Sequence, residues 1–543
     1  NERDIARMLI AMKQNSFEEF FSQLQEIMAF VHQEFCQVVS DDGRDEDNIV
    51  GIDLWESDST AEELEADLKP YMYKSEEALD LARNIIALKK SLSRYPVGPV
   101  GRETLVHLMP KIILAVSSES QAPDLFKKVA CLVEQVATRT PYMQLLADNN
   151  RVLQRFISLI KENVFATELI TAHPILLDEL LMPQLYHTPP SCQENLMRLQ
   201  ERLLRVENND LEEQMEELRL FKKIMIFRIA MSDKAHTLPV MKISDALTWL
   251  AEAIVKELLI LAWHQTVAKY GEPPNCTADD PGMAVIAYGK LGGIELGYKS
   301  DLDMVFICDS SDEYTLGEHS VSCNMFYQRL VQRMLHLSVT RTSGGVLYDL
   351  DMRLRPDGDS GLLISDIKSF EYYQKNRAWT WEHQALVRAR PIAGSRKIIS
   401  EFNRIRNDVL RTPRDPYKLK EDVIEMRNKM RKHLDRGGDK LFDLKQSPGG
   451  MVDIEFIAQY LTLREAPLHQ GMVLWSDNVR IFDECARLHL LDAELCSALK
   501  DAYLRLRECY HQISLADLPR LVAIEHRPQV CAEIVSIWNQ IFS

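Results

Sequence analysis

Gly289-Lys290-Leu291-Gly292-Gly293, then Glu295-Leu296-Gly297, then Ser300-Asp301-Leu302-Asp303-Met304-Val305-Phe306, is the stretch on which the reading of this chain turns. Apolar runs bracket the turn, Met283 to Tyr288 before it and Met304 to Cys308 after it, and both predict strands. Residues at i and i+2 of a strand share a face, so Asp301 and Asp303 present two carboxylates together. A lone pair of acids so spaced is most often an exposed turn. Gly289, Gly292 and Gly293 shift that balance, because glycine lets the backbone approach phosphate oxygens and the amides of a helix start favour anions. Paired carboxylates also suit Mg²⁺, which takes oxygen ligands from a few side chains and from substrate phosphates. The stretch therefore predicts a site where divalent cations, expected as a pair of Mg²⁺ ions, meet a nucleoside triphosphate. Gly289, Lys290, Gly292, Gly293 and Ser300 are its expected phosphate contacts.

Three further elements extend this reading. In Leu347-Tyr348-Asp349-Leu350-Asp351-Met352-Arg353-Leu354-Arg355-Pro356, alternation puts Asp349, Asp351, Arg353 and Arg355 on one face of a strand running from Val346 to Leu354. Four charges on one strand face are costly if buried without ligands. The plain alternative is a solvent-facing edge strand with cross-paired charges. Asp351 is the expected third carboxylate, and Arg353 and Arg355 are candidates for the triphosphate or for a protein substrate. In Trp379 to Arg390, Trp381, Ala385 and Leu386 fall on one helical face, while Arg388 and Arg390 either bind phosphate or pair with acids. His383 is not expected to act as a base, since three carboxylates already supply that role. In Phe442 to Phe456, Gly449-Gly450 leads into a helix that begins with Asp453 and Glu455, where acids suit the helix dipole. That segment is either a plain helix start or a loop that carries Lys445 to the active site.

The chain has 543 residues, 46% hydrophobic and 27% charged, with a net charge of −17. That balance, without a basic, aromatic-laced stripe, disfavours a nucleic-acid partner. Ten scattered cysteines, with no C-x-x-C pair, suggest neither a disulfide framework nor a zinc site and favour a reducing cytoplasm. The most apolar stretch, Ala251 to Trp263, carries Glu252, Lys256 and Glu257, which argues against a membrane span. A start at Asn1, partway into a helical pattern, suggests a piece of a longer protein.

The expected architecture is α+β and mostly helical, in four parts. Residues 1–70 read as a helical segment followed by an acidic linker from Asp41 to Asp67. Residues 71–240 read as a central helical domain, with one strongly helical segment from Asn195 to Ala230. Residues 241–400 hold a small α/β catalytic domain, entered by a helix from Ile243 to Tyr270 and containing another from Met325 to Val339. Residues 401–543 read as a nearly all-helical bundle.

Taken together, Tyr288 to Phe306, Leu347 to Ser365, Trp379 to Arg390 and Lys445 to Phe456 resemble the motifs, in order, of the bacterial glutamine synthetase adenylyltransferase family. Thr167 to Met182 is similar to the family's middle region, and the likeness covers most of the chain from about residue 75 onward. Members carry two related halves, one that adds AMP to glutamine synthetase and one that removes it by phosphorolysis. Glu295-Leu296-Gly297-Tyr298 and Trp381-Glu382-His383-Gln384 look like the adenylylating half. The resemblance implies a DNA polymerase β-like core flanked by helical domains, and transfer of AMP from ATP to a tyrosine of glutamine synthetase with release of pyrophosphate. It implies control by PII signalling protein and by glutamine. The adenylyl-removing reaction, over the same metals, is the alternative.

Overall fold

The computed structural model describes residues 52–181, 188–207, 210–234, 238–310 and 312–543. The helix expected over residues 1–40 lies outside them. The chain divides into two compact units, Asn1–Met182 and Pro183–Ser543.

The described part of the first unit is helical throughout. Part of the expected acidic linker is in fact ordered helix, Ile52–Glu56 and Ala61–Leu68. Local chemistry explains it: Thr60 caps the second helix and Glu63 closes a reciprocal capping box. Leu54, Trp55, Leu64 and Leu68 then supply buried apolar residues that a solvated linker would lack. Amphipathic helices follow from Ala78–Leu92 to Val164–Ala172, broken at Tyr95-Pro96 and before Thr140-Pro141.

The second unit begins with two helices, Cys192–Leu203 and Leu211–Lys234, where the sequence suggests one, and continues into the long helix Val240–Tyr270. Pro273 and Pro274 lie just past its end. A mixed sheet follows. Its strands are β1 (Met283–Ala287), β2 (Leu302–Cys308), β3 (Leu350–Asp351), β4 (Ile364–Asp366) and β5 (Arg390–Gly394), ordered β3-β2-β1-β5 with β4 also beside β2. β1 is antiparallel to β2, with Met283 opposite Cys308 and Ala287 opposite Met304, and is antiparallel to β5 on its other side. β3 and β4 run parallel to β2. Every residue of β1 is buried, so this hairpin is the centre of the core. The helix Cys323–Val339 follows β2.

The strand expected from Val346 to Leu354 shrinks to Leu350–Asp351. β4 pairs with β2 from Phe306 to Cys308, and β3 pairs only with Leu302 and Asp303 on the same edge. Asp349, Asp351, Arg353 and Arg355 therefore do not form one strand face. The remaining residues are largely helical, and they also contain a short antiparallel ribbon of β6 (Leu441–Asp443) and β7 (Leu521–Ala523). Among the described residues no helix is long and apolar enough to cross a membrane.

Candidate active site

The turn after β1 places its backbone against the acids of β2. Gly289 has φ +54, and a Cβ there would collide with Oδ2 of Asp303. Glycine is thus required twice over, for the left-handed backbone and for the close approach. Asp303 sits opposite Asp351 in the parallel β2–β3 register. Asp301 precedes β2 by one residue and is exposed.

A cavity of about 490 Å³ opens at this turn, and Gly289, Lys290, Lys299, Ser300, Asp301 and Asp303 form part of its wall. Three helices supply most of the rest, each through one stripe at i, i+3/i+4 spacing, and Tyr510 comes from a fourth, Ala493–Leu515. Trp381, Gln384 and Ala385 come from Thr380–Val387, with Arg388 just beyond its end. Met426, Met430 and Leu434 come from Pro416–Leu434. Val452, Glu455, Phe456 and Gln459 come from Met451–Glu465, and Lys445 reaches in from the loop before that helix. The loop is held by two buried acids. Asp443 accepts from the amides of Lys445 at 2.9 Å and Gln446 at 3.1 Å. Asp453 takes the amide of Gly449 at 2.7 Å and Arg427 at 2.6 Å. Asp453 is therefore structural, while Glu455, two residues on, faces the cavity.

Of the residues expected to bind nucleotide or metal, Gly289, Lys290, Ser300, Asp301 and Asp303 are brought together on this wall, and the others stand off it. Gly292 serves close packing, since a Cβ would strike the carbonyls of Ala287 and Arg388, and its amide donates to Tyr288 O at 2.8 Å. The Gly293 amide is bonded to Gly289 O at 3.1 Å. Arg355 is buried and spends its guanidinium on the carbonyls of Met352, Asp359 and Gly361. Arg353 folds back on Asp351, with Nε 2.9 Å from Oδ2. Arg390 pairs with Glu252. His383 bonds Gln374 O at 2.9 Å and lies away from this wall. Its neutral form is favoured by burial.

Arg388 is the centre of a buried ionic cluster. It pairs with Glu295, lies 3.2 Å from Glu455 and donates from Nε to Gly289 O at 3.1 Å. Glu295 is fully buried and also receives Tyr503 Oη at 2.6 Å and Asn478 Nδ2 at 3.2 Å. Burial alone would lower the Arg388 pKa, but Glu295 and Glu455 outweigh it and hold the guanidinium charged. Glu455 shows the reverse: burial opposes ionisation, yet Arg388, Lys445 and Lys290 keep it a carboxylate.

The electrostatics of the wall invite a polyanion and a cation. Burial pushes Lys290 down to about 7, and Lys445 and Arg507 push the same way. Its ammonium stands 4.8 Å over the ring of Tyr510. Burial, then the charges of Asp301 and Asp351, push Asp303 up to about 6. That mutual repulsion is the condition a divalent cation relieves, and oxygen-only donors suit Mg²⁺. Among the described residues no three such side chains are already gathered at ligating distance, and Asp351 is clasped by Arg353.

Sequence reasoning passed over Lys299, Met426, Met430, Gln459 and Tyr510. Met426, Met430 and Leu434 recur at helical spacing, but a period does not say whether it covers core or cavity.

Comparisons with known proteins bear on this site. A family model described as glutamate-ammonia ligase adenylyltransferase matches residues 153–405, and one described as GlnD PII-uridylyltransferase matches residues 418–520. A curated bifunctional glutamine synthetase adenylyltransferase/adenylyl-removing enzyme from Psychromonas ingrahamii is 41% identical over 546 residues, covering 99% of this chain and 58% of the relative. One of the same name from Vibrio parahaemolyticus is 41% identical over 549 residues, with the same coverage of each. The chain thus spans 58% of the length of these relatives.

Proposed function

The chain belongs to the glutamate-ammonia ligase adenylyltransferase family, and from that premise we propose that it moves AMP from ATP to a tyrosine hydroxyl of glutamine synthetase, releasing pyrophosphate. The observation that carries the reading is the single cavity holding Asp301, Asp303, Lys290 and Lys445. The mixed sheet, with Asp303 on β2, Asp301 just before it and Asp351 on the parallel β3, supports assigning the core to the DNA polymerase β-like class.

Asp301 and Asp303, with Asp351 once released from Arg353, are the residues that would hold Mg²⁺, two ions in our reading. The metal supplies acidification of the attacking hydroxyl and charge stabilisation on the phosphates. The chain's own residues do the rest. Lys290, Lys299 and Lys445 bring ammonium groups to the wall for the triphosphate. Gly289, fixed against Asp303, sets how near the phosphates approach the acids. Arg388 and Glu455 lock the helices to the turn, so that the geometry exists before ATP arrives.

Incubation with α-labelled ATP, Mg²⁺ and unmodified glutamine synthetase tests this: label is expected on a tyrosine of that enzyme. The adenylyl-removing direction is the second reading, favoured by the bifunctional names of the relatives. Release of ADP from adenylylated glutamine synthetase and phosphate, without forward transfer, would establish it instead. The match of residues 418–520 to a PII-uridylyltransferase model supports a PII signalling protein as regulatory partner; glutamine as effector is proposed with it on the family resemblance alone. A cytoplasmic setting accords with nine described cysteines, all free.

A further inference from the structure

The helices Thr380–Val387 and Met451–Glu465 are joined at the cavity by two rungs. One is Arg388 to Glu455 at 3.2 Å. The other is Gln384 Nε2 donating to Gln459 Oε1 at 3.1 Å. Each rung is four residues from the other on both helices, 384 to 388 and 459 to 455, so they stand about 6 Å apart at 1.5 Å per residue. The first rung belongs to the charged end, since Arg388 also holds Gly289 O beside Asp303. The second lies one helical turn away, with Trp381 one turn further along the same helix, and Met426, Met430 and Phe456 are further apolar members of the wall. A cavity that combines charged groups with flat and soft apolar ones suits a nucleotide, which presents phosphates and a base.

Gln384 is 3% exposed, and its Oε1 has no hydrogen-bond partner. A buried acceptor without a partner is rare and costly in a folded protein. Its Nε2 is committed to Gln459, which leaves Oε1 to accept from something outside the chain. Adenine offers a donor at its exocyclic amine. Guanine offers a carbonyl oxygen at the same position, which would set acceptor against acceptor.

We propose that Gln384, oriented by Gln459, is the specificity-determining residue for adenine, accepting a hydrogen bond from the N6 amine while the apolar wall holds the ring. The assignment rests on the nucleotide reading of the cavity given above. It explains why two glutamines, rather than two apolar residues, close a helix contact beside Trp381 in the wall. Satisfaction of the buried oxygen only when adenine is present makes the preference a difference between ligands, not a gain for all of them.

The test is equilibrium titration calorimetry of the whole chain with ATP, with GTP and with purine riboside triphosphate, which lacks only the N6 amine. ATP is expected to bind about tenfold to a hundredfold tighter than the purine analogue, the usual penalty for leaving a buried acceptor unpaired. In Gln384→Met, of similar size and without the acceptor, the two affinities should converge, and GTP should gain on ATP. The comparison of ATP with its analogue needs no variant, so a misfolded Gln384→Met does not remove the test. Equal binding of both by the unmodified chain, or an unchanged ratio in a folded Gln384→Met, overturns the role of Gln384 and leaves the nucleotide cavity standing. No binding of any triphosphate overturns the cavity reading, and this inference with it.

Discussion

Two acid–arginine clusters flank Asp303, and they are built in opposite ways. On β3, Asp351 is held by Arg353, whose side chain is 72% exposed. Behind the turn, Arg388 and Glu295 are 4% and 0% exposed and are surrounded by Tyr503, Asn478 and Glu455. A wet pair is worth little, because water and salt screen it and long side chains lose entropy in holding it. A dry pair is costly to break, because removing one partner strands the other charge away from water. The same letters in the sequence thus give a releasable clasp in one place and a fixed scaffold in the other. A carboxylate meant to meet a metal belongs in the first kind of setting, and the helices that shape a cavity belong on the second.

The comparison can be broken at its strongest point. Glu295→Ala leaves Arg388 and Arg507 without their shared carboxylate and should cost about 3–5 kcal/mol of stability, read by denaturant unfolding. A loss below about 1 kcal/mol would mean that the cluster is no scaffold. Next comes the charge state of Asp303. Its folded value near 6 lies above the ordinary 3.8, so between those values the folded chain holds the extra proton and stability falls as pH rises. Mg²⁺ needs the carboxylate, so binding near pH 6 should release a proton, measured by calorimetry in buffers of different ionisation enthalpy. Asp303→Asn should abolish that release. Lys290, lowered from 10.5 to about 7, predicts the opposite trend for the triphosphate. ATP affinity should weaken as pH rises past 7, and Lys290→Met should flatten that slope. The smallest effect belongs to the wet pair. Arg353→Ala should change stability by under about 1 kcal/mol and leave Mg²⁺ binding intact or tighter, since Asp351 is freed. A loss as large as that of Glu295→Ala would erase the distinction between the clusters.

What was legible beforehand follows the same division. β1 and β2 could be read because each is a run of apolar residues long enough to set its own period. Gly289, Lys290, Ser300, Asp301 and Asp303 fall together because they ride on that hairpin. β3 could not be sized, since how far it pairs along β2, an edge it shares with β4, depends on contacts between segments distant in sequence. β5 went unread because Arg390-Pro391 at its start looks like the end of a helix, not a strand. Arg388 and Arg390 looked alike on paper, each open to phosphate or to acids. Only the positions of Glu295, Glu455 and Glu252, distant in sequence, show that both pair with acids. The cavity wall was the least legible part, because Gln384 and Gln459 meet across helices 75 residues apart.

Asp301, just before β2, and Asp303, on it, carry the proposed metal site. The direct measurement is transfer of α-labelled AMP from ATP to glutamine synthetase in the presence of Mg²⁺, comparing the unmodified chain with Asp301→Asn and Asp303→Asn, each checked for an intact cooperative unfolding transition. Labelling by the unmodified chain, reduced at least about a thousandfold in both folded variants, is the predicted result. Near-normal labelling by a folded Asp303→Asn would contradict it.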